Sequence, residues 1–121
     1  MNPDHLVVLA TAPDEPAAQA LAQALVAEGL AACVNRVPGV RSTYRWQGAV
    51  RDEAEVLLVI KSTAAAYAAL ERRIRELHPY EVPEVIALPV LRGSQPYLAW
   101  LSGQVMRDEG GAGRGPRVSE R

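Results

Sequence analysis

The chain has 121 residues, 49% hydrophobic and 22% charged, with a formal net charge of −1. That is the size of one domain, with enough apolar content for a core that needs no staples. The near balance of charge excludes the broad basic footprint that nucleic acid or a membrane surface demands.

The N-terminal stretch MNPDHLVVLA has a short apolar run and no basic segment before it. It predicts neither a signal peptide nor a membrane span, and so a cytoplasmic chain. His5–Ala10 is rich in β-branched residues and is expected to be a strand buried on both faces. In TAPDEP, Asp14 can cap a helix with Glu15 and Pro16 in its first turn. Ala18, Leu21, Ala22 and Leu25 follow at helical spacing, and Gly29 closes the run. Cys33–Val37 reads as a strand, interrupted by Pro38-Gly39 as a bend or bulge, because proline cannot donate to a ladder. It resumes over Arg41–Trp46, with Thr43 and Arg45 on one face and Tyr44 and Trp46 on the other.

Gln47-Gly48 is the hairpin turn. The return strand runs through Val50 and RDEAE into the apolar segment 56–61, VLLVIK. Ser62 or Thr63 is expected to cap a second helix whose apolar stripe is Tyr67, Leu70, Ile74 and Leu77. Its wet side offers the i,i+4 pairs Glu71/Arg75 and Arg72/Glu76. His78-Pro79 ends it, since a residue before proline avoids the helical region. Pro83 can open a last strand over 84–90, and a short helix starts at Ser94 with Leu98, Leu101 and Val105 on one face. From Asp108 the apolar periodicity vanishes, which predicts a domain over 1–107 and a disordered tail over 108–121.

The order β-α-β-β-α-β plus a terminal helix predicts an α+β, ferredoxin-like fold: an antiparallel sheet with its helices on one face. The second and third strands run well past the ordinary strand length of about 5–6 residues. A two-stranded ribbon is marginal alone in water, and long edges invite pairing. Tyr44 and Trp46 on that ribbon are therefore expected at an interface with a second subunit. The alternative is local packing against the terminal helix, which offers Tyr97 and Trp100.

LAACVNRVPGVRSTYRWQG, EVLLVIKST, RIRELHPYEVPEVIALPV and PYLAWL, in that order over about residues 6–101, resemble the CutA family of divalent-cation tolerance proteins. The resemblance implies a ferredoxin-like chain that forms homotrimers, its long hairpin reaching neighbouring subunits. It implies a link to copper or other divalent cations, and an architecture similar to the PII signalling proteins, which bind small effectors in clefts between subunits. It implies no enzymatic reaction. Some members carry a metal-linked cysteine at the end of the first strand, where this chain has Ala10. A copper site built on that thiolate cannot form here.

The chain has two histidines. His78 could ligate copper, with Glu81 or Glu84 beside it. Equally, it could end the helix, where a charged imidazole meets the C-terminal dipole for about 0.3–1 kcal/mol. Cys33 is a soft candidate ligand for Cu(I), set against ordinary burial in a strand. Being the one cysteine, it excludes an intrachain disulfide and, with no Cys/His cluster, a standard zinc site. His5, near the terminus, reads as exposed and incidental. Lys61 reads as a solvated strand-end charge. By the resemblance it would instead face an inter-subunit cleft with Trp46, His78, Tyr80 and Glu84, suited to a small anion.

Two functional readings stand: a trimeric metal-binding protein, or a PII-like sensor of a small anionic effector. They differ in whether affinity follows an imidazole or a cationic cleft. No nucleophile, base and orienter fall together, so an enzyme is not expected.

Overall fold

A computed structural model describes residues 4–106 of the chain. The elements are β1 (His5–Ala12), α1 (Glu15–Ala27), β2 (Cys33–Trp46), β3 (Ala49–Thr63), α2 (Tyr67–Leu77), β4 (Val85–Pro89) and α3 (Gln95–Gln104). The four strands form one sheet in the order β2-β3-β1-β4, every neighbouring pair antiparallel. The expected α+β, ferredoxin-like architecture is what the chain adopts. The expected tail over 108–121 lies outside the described residues.

Local chemistry sets the boundaries. The Asp14 carboxylate accepts the Ala17 N–H at 2.9 Å and caps α1. Gly29 ends α1 at φ +73°, where a Cβ would also collide with the Met106 side chain. Gln47 and Gly48 both have positive φ, the conformation of a two-residue hairpin turn whose twist matches the strands. Val37 opposes Leu57 and Val40 opposes Glu55, so Pro38 and Gly39 together face Val56 alone. That is the expected bulge, placed where proline has no N–H to offer.

Strand alternation divides the sheet into two faces. Val8, Ala10, Ala12, Val56, Leu58 and Ile60 point toward α1 and α2 and form one core with Ala18, Leu21, Leu25, Leu70 and Ile74. The opposite face carries Val7 and Leu9 of β1, Val37 of β2, Leu57 and Val59 of β3, and Ile86 and Leu88 of β4. α3 lies at one end of the sheet, where Leu101 and Val105 pack with Ala32 and Ala66.

Four expectations change. β1 is not buried on both faces: Val7 and Leu9 are half-covered. α2 begins at Tyr67, after a turn in which Thr63 Oγ1 accepts the Ala66 N–H. Ser62 caps nothing, because alternation turns it into the interior, where its hydroxyl donates to the Leu30 carbonyl at 2.7 Å. On α2, Glu71 and Arg75 pair at 3.9 Å as expected. Glu76, however, meets Arg73, whose guanidinium also grips Glu28 of the α1 C-cap.

Candidate functional site

The β2–β3 ribbon projects past the helix-backed sheet. On one of its faces register sets Tyr44 opposite Arg51 and Ser42 opposite Glu53, with Glu55 next inward. The chain leaving α2 passes alongside, and its residues 79–84 form the opposing wall. Between them lies a cleft of about 830 Å³, lined by Thr11, Tyr44, Trp46, Arg51, Glu53, Glu55, Tyr80, Glu81, Val82 and Glu84 among others.

His78 builds the wall rather than the floor of this cleft. It is the C-cap of α2, in extended backbone, and is 7% exposed. The Tyr80 N–H lies 3.0 Å from Nδ1, and the Thr11 carbonyl oxygen lies 2.7 Å from Nε2. An N–H can only donate and a carbonyl can only accept, so Nδ1 is the acceptor and Nε2 carries the proton. The ring is thus a neutral imidazole tying the 79–84 wall to the end of β1. A metal could reach Nδ1 only by displacing the Tyr80 N–H. His78 also packs against Tyr80, with ring centroids 4.8 Å apart and planes tilted by 50°.

Two tyrosines fix two of the cleft's carboxylates, Tyr80 from the opposing wall and Tyr44 from the ribbon itself. The Tyr80 hydroxyl donates to Glu55 at 3.0 Å and the Tyr44 hydroxyl donates to Glu53 at 2.7 Å. Burial, and then the Glu55 carboxylate, push the Tyr80 hydroxyl well above its ordinary value. The hydrogen bond to Glu53 raises the Tyr44 hydroxyl as well. Glu55 itself is 7% exposed, an unusual place for a carboxylate unless it is hydrogen-bonded.

The fold brings Trp46, Tyr80 and Glu84 onto this cleft, with His78 directly behind Tyr80. Within one chain it does not bring Lys61 there. Lys61 pairs with Cys33 in the β2–β3 register and with Val7 across β1, and its ammonium bonds to Asn35. Cys33 is half-buried at that distant end of the sheet, on the open face. His5 donates to or accepts from Ser102 of α3 at 2.7 Å. Tyr44 and Trp46 line the cleft, while Tyr97 and Trp100 of α3 contact each other, centroids 5.6 Å apart, beside Ala32 and Ala66.

Arg51, Glu53, Glu55 and Thr11 were not singled out from the sequence. RDEAE reads as a solvated charge run. The available signal was parity: Glu53 and Glu55 share a strand face with Leu57 and Val59, and that face meets Tyr44. Among the described residues, no group of three His, Cys, Asp or Glu side chains converges to hold a metal ion.

Comparison with known proteins agrees with this architecture. A family model described as CutA1 divalent ion tolerance protein matches residues 6–104. The divalent-cation tolerance protein CutA of Thermus thermophilus is 54% identical over 95 residues, covering 78% of this chain and 92% of that protein. A solved structure of the T. thermophilus protein superposes with a TM-score of 0.82 at 50% identity, covering 84% of this chain and 98% of the other. The crystal structure of CutA1 from Oryza sativa does so with a TM-score of 0.84 at 43% identity, covering 88% and 96%.

Proposed function

The chain belongs to the CutA1 divalent ion tolerance family, and on that premise we propose that it acts in the cytoplasm as a homotrimer binding copper or a similar divalent cation. The carrying observation is the open face of the sheet. Ile86, Leu88 and Val37 stand there 52%, 48% and 40% exposed, beside half-covered Val7, Leu9, Leu57 and Val59. A soluble monomer rarely leaves so continuous an apolar patch uncovered. Further copies of the chain are the cover. The aromatic ribbon with Tyr44 and Trp46 extends the same face outward.

Metal donors in this reading come together between copies, since none converge among the described residues of one. Cys33 lies on the open face and is the soft donor the fold leaves available. His78 contributes only where the Tyr80 N–H is given up. The reading as a sensor of small anions has less support: within one chain the cleft carries Glu53, Glu55, Glu81 and Glu84 against Arg51 alone. No enzymatic reaction enters the proposal. No helix among the described residues is long and apolar enough to cross a membrane.

A Cu(II) titration by calorimetry tests the metal part, with thiol content assayed before and after. Saturable binding at a fixed ratio is expected for the native chain, with Cys33→Ser roughly tenfold weaker, an energy of about 1.4 kcal/mol. His78→Gln should bind as the native chain does. No saturable heat in the native chain, or equal binding by Cys33→Ser, would sink the donor assignment.

A further inference from the structure

Two opposite charges sit at the two ends of one apolar strip. Glu55, Leu57, Val59 and Lys61 alternate onto the same face of β3, the face that the helices leave open. Leu57 and Val59 are half-covered, Glu55 is 7% exposed and Lys61 is half-buried. The two charges lie about 20 Å apart at ordinary strand rise, too far to pair within one chain. Each is served in its own chain by a neutral group. The Tyr80 hydroxyl donates to Glu55 at 3.0 Å, and the Lys61 ammonium donates to the side-chain oxygen of Asn35. Among the described residues no ion pair reaches either of them. Short of the ribbon, Lys61 is also the one lysine or arginine that the described strands turn to this face.

Covering the strip with further copies strips the remaining water from both ends. A carboxylate left with one neutral donor is costly there, and so is a lone ammonium. Both needs are met when the Lys61 end of one copy lies on the Glu55 end of another. We propose that Lys61 of each copy pairs with Glu55 of the next, so that the copies join head to tail with one such ion pair at every contact. The inference rests on the assembly proposed above and gives it a direction. A reciprocal contact, with both pairs between the same two copies, would close at two chains. Three chains close only when each copy gives its Lys61 to one neighbour and its Glu55 to the other. The ribbon begins just beyond Glu55, so in this direction it runs on across the copy that supplies Lys61.

The test is a double-mutant cycle on assembly. The native chain, Glu55→Gln, Lys61→Met and the double variant are diluted in one urea concentration that leaves the native protein half assembled. Mass is read by sedimentation, and circular dichroism shows that each variant is folded. Either single substitution should raise the concentration for half assembly at least roughly tenfold, since it leaves the other charge covered and unpaired. The double variant should be no worse than the weaker single one, because the second removal finds its partner already gone. Should Glu55→Gln not fold, Lys61→Arg takes its place: it keeps the charge and should assemble within about threefold of the native chain, where Lys61→Met does not. Losses that simply multiply in the double variant, or a Lys61→Met chain that assembles as the native one does, would overturn the ion pair and leave the three-chain assembly standing. A native protein of single-chain mass in buffer without urea would remove the assembly and the ion pair together.

Discussion

The two faces of the sheet are built from the same kinds of residue and meet different fates. On one, Val8, Leu58 and Ile60 are at most 1% exposed, sealed by α1 and α2. On the other, Ile86 and Leu88 remain about half exposed, with nothing of the described chain laid over them. The segments HLVVLA and VLLVIK are apolar at both parities, a pattern suited to a strand covered on both sides. One chain supplies one cover. The difference teaches that a continuous apolar strand can report an assembly as well as a core.

The largest effect that would sharpen the comparison is on the helix-backed face. Ile60→Ala should cost about 2–5 kcal/mol, since the site is enclosed and cannot collapse onto the cavity. On the open face, Ile86→Ala should cost only about 1 kcal/mol in a dissociated chain, because half of its surface is already in water. Urea unfolding of both substitutions in a Val59→Arg background measures the pair. Equal costs would erase the distinction between the faces.

A smaller effect belongs to the wall of the cleft. Tyr80 is raised in the folded chain by burial and by Glu55, so folding favours its neutral phenol. That contribution is complete below the unfolded value of about 10 and is lost as pH rises from there through the raised folded value. Urea midpoints should therefore fall above about pH 10, and fall less in Tyr80→Phe. Identical alkaline slopes would detach Tyr80 from the wall.

Most of the fold was legible because its punctuation is local. Asp14, Gly29, Pro38-Gly39 and Gln47-Gly48 each do what their own backbone chemistry allows, whatever surrounds them. The start of α2 was not legible, because Ser62 and Thr63 suit a cap equally well as single residues. Only the inward parity of β3 removes Ser62 from that role. The site was half legible. HPYEVPE gave the wall, and YRWQG gave the ribbon. Lys61 stands apart from the cleft within one chain because membership of a cleft depends on position along a strand as well as on its face. Glu55 was passed over because a carboxylate in RDEAE looks solvated until a tyrosine from a segment 25 residues later reaches it. The tautomer of His78 lay beyond sequence altogether, since two backbone groups set it.

The central claim is that the open face joins copies of this chain. Sedimentation equilibrium at micromolar concentration, with the native chain beside Val59→Arg, tests it most directly. The account predicts a mass three times that of one chain for the native protein. It predicts a single-chain mass for Val59→Arg, with its far-ultraviolet circular dichroism unchanged. A native protein that sediments as one chain would contradict it.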